Sequence, residues 1–180
     1  SLLRWLPGAA GALRDRLGPA SGHLLARYAR FGEPVETSLA RMWGEAAMVL
    51  PARRRALGMA AHGAPVWRYR YSYVPQALRG QLPGAGHEAE IEMVFGHPSR
   101  QSRAGWTAAD ARMSRRIRGY WIAFARTGNP NHAGAPHWPA VAPGDPKLME
   151  FGPNRTAARS DFDGERLDAL ERALAATATP

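Results

Sequence analysis

Pro65-Val66-Trp67-Arg68-Tyr69-Arg70-Tyr71-Ser72-Tyr73 alternates an aromatic face with a polar one. Trp67, Tyr69, Tyr71 and Tyr73 fall on one side, and Arg68, Arg70 and Ser72 fall on the other with Val66. A period of two marks a half-buried strand, so residues 65–73 predict a β-strand. Pro75 stops it. Residues 76–86 hold Gly80, Pro83, Gly84 and Gly86 and predict a loop. His87 follows, and 88–94 predict a short helix.

Further downstream, Thr107-Ala108-Ala109-Asp110 has the form of a helix start, a hydroxyl cap with an acid three residues on. Met113, Ile117, Tyr120, Trp121 and Phe124 then recur at helical spacing, and Gly128 ends the helix. Phe124 is expected in the helix core with Tyr120 and Trp121. Residues 129–146 hold five prolines and predict extended coil. Residues 148–151 predict a short late strand. Glu165, Leu167, Leu170 and Leu174 predict a last helix, and residues 176–180 a loose tail.

Upstream, Pro7, Gly8, Gly11, Gly18, Pro19, Gly22, Gly32 and Pro34 break residues 1–34 into short helices joined by turns. Leu24, Leu25, Tyr28 and Phe31 mark one of them. Thr37 or Ser38 is placed to cap a helix holding Leu39, Met42, Trp43, Ala46 and Val49. Pro51 fits the first turn of a new helix, 52–61, where its missing N–H is no loss, and Gly63 ends it. One clear strand and one short late strand among many helices predict α/β architecture, with too few strands for a complete sheet. The 180 residues are expected to form a single partial domain.

Composition narrows the chemistry. The chain carries 24 basic and 15 acidic residues, a formal charge of +9, and no cysteine. Disulfides, thiol catalysis and cysteine-ligated metals are excluded in this chain. The positive charge is spread along the sequence. Arg53-Arg54-Arg55 is the only arginine triplet. A nucleic-acid footprint would cluster on one element, so the arginines predict a solvated surface and no nucleic-acid partner. No apolar run reaches the ~18 residues of a membrane span. His23, His62, His97, His132 and His137 show no metal-ligand spacing.

His87 is the residue with chemical promise. It lies in a small-residue loop beyond a strand, where α/β proteins place their working groups. Gly84, Ala85 and Gly86 leave room for a substrate to approach, and an imidazole moves protons near neutral pH.

Five blocks, in order, carry a family resemblance. Gly84-Ala85-Gly86-His87-Glu88-Ala89-Glu90-Ile91-Glu92-Met93-Val94-Phe95-Gly96 resembles the histidine motif of type-B carboxylesterases, the cholinesterase-like group of α/β-hydrolases. Pro51-Ala52-Arg53-Arg54 resembles the family's Pro-Ala-Arg helix start, and residues 63–71 its aromatic strand. Tyr120-Trp121-Ile122-Ala123-Phe124-Ala125-Arg126-Thr127-Gly128-Asn129-Pro130-Asn131 is similar to its helix-end signature, and Trp138-Pro139 to the Trp-Pro that follows. The resemblance spans about residues 44–152 and implies the C-terminal part of an α/β-hydrolase.

The resemblance implies a Ser–His–acid triad that cleaves carboxylic esters without a cofactor or metal, with His87 as general base. In family order the serine and acid precede the histidine. No G-x-S-x-G occurs in the sequence. Ser21, in Gly18-Pro19-Ala20-Ser21-Gly22, has the wrong spacing, and Asp15, Glu33, Glu36 and Glu45 lack the family's Glu-Gly pairing. The expectation is therefore a truncated chain whose partners are a small-molecule ester and the missing N-terminal part of the same polypeptide. Alone, it should be inactive and poorly soluble, with its aromatic strand uncovered. Glu90 stands at the family's acidic position and is expected to stabilise the first turn of the short helix. Glu88 stands where the family has Gly or Ala. The alternative is a non-catalytic relative used for binding or adhesion.

Overall fold

The structure is a computed structural model that describes residues 6–29, 34–82, 84–161 and 164–177. Its residues group into two compact units, 1–58 with 162–180, and 59–161. Phe31 and residues 178–180, the end of the expected tail, lie outside the described residues.

The first unit is helical. Helix α1 spans Leu6–Leu17, α2 Ala20–Tyr28 and α3 Val35–Gly44. Ala10, Leu13 and Leu17 recur at helical spacing on α1, and they pack with Leu24 and Tyr28 of α2 and Leu39 and Met42 of α3. Each of these leucines, and Met42, contributes about 1.5–3 kcal/mol on leaving water. Neither Thr37 nor Ser38 caps α3. The helix starts at Val35 after Pro34, and Ser38 Oγ donates to the Tyr28 carbonyl instead, joined there by Arg41 Nη1 at 2.8 Å. Two side chains thus satisfy an end carbonyl of α2 that has no helical partner.

Pro51 does not open a separate helix. Helix α3 runs through a π-helical turn, Glu45–Val49, directly into α4, Leu50–Ala61. A proline there has no N–H to give, and its ring collides with the carbonyl four residues back. The wider turn relieves both problems: Leu50 N–H reaches the Glu45 carbonyl, five residues back. Gly63 follows the end of α4 at φ +79°. The last helix, which we number α7, spans Gly164–Ala176 and buries Leu167 and Leu170. Ala176 is therefore helical rather than part of a tail.

The second unit holds the sheet, β1 (Tyr69–Tyr71), β2 (Leu148–Phe151) and β3 (Thr156–Arg159), in the order β1-β2-β3. β1 runs parallel to β2, pairing Tyr69 with Met149, Arg70 with Glu150 and Tyr71 with Phe151. β3 is antiparallel to β2. The strand expected over 65–73 is a ladder of only three residues, because its partner β2 is short. Single bonds continue the pairing beyond the ladder, from Met149 N–H to the Arg68 carbonyl and from Ser72 N–H to the Phe151 carbonyl. β2 falls where the sequence placed it. β3 was not foreseen. The turn before it is closed by Gly152 N–H on the Arg155 carbonyl, 3.0 Å.

Between β1 and β2 lie the short helix α5 (Ile91–Phe95) and the long helix α6 (Ala108–Thr127). Helix α6 is set by local chemistry. Thr107 Oγ1 accepts from Asp110 N–H, the Asp110 carboxylate accepts from Thr107 N–H, and Gly128 closes the other end at φ +74°. Asp110 also accepts from Tyr73 OH at 2.6 Å and Gln76 N–H at 3.1 Å, so one fully buried carboxylate joins α6 to the segment after β1.

The aromatic face of 65–73 is covered in part from within the unit: Tyr73 is buried, Trp67 and Tyr71 are half-buried, and Tyr69 stays exposed. Tyr73, Met93, Met113, Ile117, Tyr120, Trp138, Met149 and Phe151 form its core, with Trp67, Tyr71 and Trp121 against them. Trp138 is fixed at three points. Its N–H and carbonyl bond the Asn131 side chain, and its indole N–H donates to the Arg68 carbonyl. These bonds pin the proline-rich coil. On the polar face, Ser72 and Arg159 bond Glu150, and Arg68 pairs with Asp161 at 3.3 Å. Phe124, expected in the core, is half exposed and meets Trp67 edge to face at 5.8 Å. Helix-dominated with few strands, the fold has the expected α/β character.

Candidate functional site

The residues after β1 decide where His87 sits. Tyr73 and Gln76 are tied to Asp110, a single 3-10 turn covers Gln76–Leu78, and the chain then loops through glycines to a turn at 87–90. That turn leads straight into α5: Ala89 N–H bonds the Gly86 carbonyl, Ile91 N–H the Glu88 carbonyl, and Met93 N–H the Glu90 carbonyl. His87 is therefore carried on the entry to α5, not on the tip of β1.

A side-chain bond ties the turn back to the strand. Tyr69 OH donates to Glu90 Oε1 at 3.3 Å. Burial, then the Glu90 charge, push the Tyr69 hydroxyl up to about 12, so it stays a donor through the neutral range. Glu90 was expected to support the first turn of α5. It stands at the N-cap but makes no capping bond, and its carboxylate is used by Tyr69 instead. The acid that organises the far side of α5 is Glu92. Its carboxylate accepts from Ser99 N–H at 2.9 Å and Ser102 Oγ at 2.6 Å, holding the turn at 99–102. Sequence reasoning missed this role. Its only signal was a second acid two residues on from Glu90 in a motif read for its histidine.

The His87 ring is open to solvent, with 59% of the side chain exposed. Its recorded neighbour is Glu88, whose Oε1 lies 3.8 Å from Nε2. Glu88 has φ +66°, the only described non-glycine residue in the left-handed region. There a Cβ crowds the following carbonyl, at a cost of about 1–2 kcal/mol. Of the two small residues that the resemblance led one to expect here, Gly or Ala, only Gly escapes that cost. Among the described residues no serine hydroxyl bonds His87, so what the structure presents is an accessible imidazole on a turn anchored at Glu90.

The other chemical groups fall elsewhere. The Asp110 carboxyl is pushed up by burial, but the hydrogen bonds from Thr107, Tyr73 and Gln76 outweigh that and hold it below the usual range. It is a structural hub. The arginine triplet, read as solvated surface, is partly a clamp within the first unit. Arg53 is buried and pairs with Asp168 at 2.6 Å, while Arg54 pairs with Glu171. His132 packs against Tyr120, and no group of three potential metal ligands occurs among the described residues. No helix among them is long and apolar enough to cross a membrane.

Comparison with known proteins gives these parts a setting. The chain is 33% identical to the acylcarnitine hydrolase of Rattus norvegicus over 61% of its own length and 20% of that protein's. It is 37% identical to the medium-chain fatty acyl-CoA hydrolase precursor of Anas platyrhynchos over 54% and 17%, and 35% identical to carboxylesterase 5A of Felis catus over 66% and 24%. The chain thus spans about a fifth of the length of the curated relatives it matches. The profile of the carboxylesterase family matches residues 22–170, a span that takes in the His87 turn, α6 and all three strands. On that match, which covers most of its residues, the chain belongs to the carboxylesterase family.

Proposed function

We propose that this chain is the C-terminal portion of an α/β-hydrolase and supplies His87 as the general base of a serine carboxylesterase. The observation that carries the reading is His87 itself. It stands in the family's histidine motif, on a turn tied to β1 through Tyr69 and Glu90, with its ring accessible. In the proposed reaction the imidazole takes the proton of a serine hydroxyl as that oxygen attacks the ester carbonyl. It then returns the proton to the leaving alcohol, and water repeats the cycle on the acyl-enzyme. An acid would orient the ring and stabilise its imidazolium form. Serine and acid would come from polypeptide outside these 180 residues.

Two features support a covering partner polypeptide. β1 ends the sheet order among the described residues, and an open edge on a parallel pair calls for a further strand. Ile91 and Phe95 of α5 are also exposed. The matched relatives are named for acyl esters and thioesters, and the proposal takes from them only a carboxylic ester as substrate.

Two measurements test the reading. With a p-nitrophenyl ester, the 180-residue chain should show no hydrolysis that depends on His87; turnover lost on His87→Ala would reveal a nucleophile within it. In the polypeptide that carries the serine, a fluorophosphonate probe should label the protein, and His87→Ala should slow labelling by at least about a thousandfold. Absence of labelling in the unsubstituted protein would favour a non-catalytic binding relative.

A further inference from the structure

Helix α5 is too short to hold its own place. Ile91–Phe95 makes little more than one turn, and so short a helix does not persist alone. Ile91 and Phe95 are exposed, and Met93 is its one buried residue. Its position therefore depends on polar attachments. From α6, Ser114 Oγ donates to the Met93 carbonyl at 2.8 Å. The other firm attachment is Glu92.

Glu92 is a hub of four hydrogen bonds. Its carbonyl accepts from Gly96 N–H and His97 N–H, which closes α5. Its carboxylate oxygen Oε2 accepts from Ser99 N–H at 2.9 Å and from Ser102 Oγ at 2.6 Å. Ser102 is fully buried, and a bond from such a hydroxyl to a carboxylate is among the stronger kinds.

A ladder of backbone bonds carries that hold to His87. Val94 N–H bonds the Glu90 carbonyl, Ile91 N–H the Glu88 carbonyl, and Ala89 N–H the Gly86 carbonyl, so the residues on both sides of His87 move with α5. At a helical rise over that distance, a tilt of α5 by about 10° carries His87 through roughly 1 Å. A shift of that size at a reacting group costs up to about a hundredfold in rate. Tyr69 also ties the turn, through Glu90, but at 3.3 Å that bond is long and leaves more freedom.

We propose that Glu92 is a positioning residue: by gripping Ser99 and Ser102 it fixes the tilt of α5, and with it the place of the His87 imidazole. The inference rests on the esterase reading of His87 and adds a residue to it.

The test uses the polypeptide that carries the serine and a fluorophosphonate probe. The final extent of labelling counts folded molecules, and the rate constant with which they label reports how His87 is placed. Glu92→Ala should lower the rate constant about thirtyfold, while the folded molecules still label to completion. Both donors meet one oxygen, so Glu92→Gln keeps an acceptor for them and should recover the rate to within about threefold. Ser102→Ala removes one donor and leaves the carboxylate on Ser99 N–H. It should slow labelling about threefold, and it carries the test if Glu92→Ala does not fold. A reduced extent at an unchanged rate constant would make Glu92 structural only and overturn the proposal, as would Glu92→Gln as slow as Glu92→Ala. His87→Ala separates the two readings. If it leaves the rate unchanged, the esterase reading fails; if it slows labelling while Glu92→Ala and Ser102→Ala do not, the positioning role alone is lost.

Discussion

The two units solve the same problem with different materials. The 1–58 and 162–180 unit packs aliphatic stripes of short helices and joins them with charge. Glu45 accepts from Tyr28 OH and from both Nε and Nη2 of Arg166, while Arg53 and Arg54 hold Asp168 and Glu171. The 59–161 unit relies on interlocked rings and one buried carboxylate. The difference teaches where each is vulnerable. A partly exposed ion pair is replaceable by water, but a void among packed rings or a buried donor left without its acceptor is not.

The comparison can be broken by substitution, read out separately over each unit by hydrogen exchange. Phe151→Ala should have the largest effect, roughly 4 kcal/mol of lost stability in the 59–161 unit, because the fully buried ring contacts Tyr69, Tyr120, Trp121 and Trp138. Asp110→Ala should follow at about 3 kcal/mol, since Tyr73 OH, Gln76 N–H and Thr107 N–H all lose their acceptor. In the other unit Arg53→Ala should remove only about 1–2 kcal/mol, because Asp168 is half exposed and water takes over its carboxylate. If Arg53→Ala proves costlier than Asp110→Ala, the contrast between the units is wrong.

Acid sharpens the same contrast. The folded Asp110 carboxyl lies below its unfolded value of 3.8. Its contribution is fully present above that value and is lost as pH falls through the folded one. A pH-stability profile of Asp110→Asn should therefore lose part of the acid dependence seen in the original, and an unchanged profile would remove Asp110 as its source. The smallest effect expected is a gain. Glu88→Gly relieves the left-handed backbone after His87 and should stabilise the chain by up to about 1 kcal/mol, measurable as a raised denaturant midpoint.

What was legible in the sequence follows from how local each cause is. Helix α6 was readable at both ends because Thr107, Asp110 and Gly128 act within one turn. Residues 65–73 betrayed their two faces, but not the length of the ladder, which depends on β2 far along the chain. Thr156-Ala157-Ala158-Arg159 has no pattern of its own and is a strand only because β2 pairs with it. Pro51 was misread because a widened turn is as good an answer to a missing N–H as a new helix. At the site, His87 stood out by its motif. The tie from Tyr69 to Glu90 and the grip of Glu92 on Ser99 and Ser102 are long-range, and no spacing announced them.

The widened turn at Glu45–Val49 also keeps a phase. An α-helix comes round once in about 3.6 residues, and a turn closed five residues back takes about one residue more to do the same. The stretch therefore takes up a surplus residue and hands the helix on at nearly the angle at which it arrived. Arg53 still meets Asp168, and Leu50 still fills the interior. The loosened coil works as a slack loop that spares the helix beyond it.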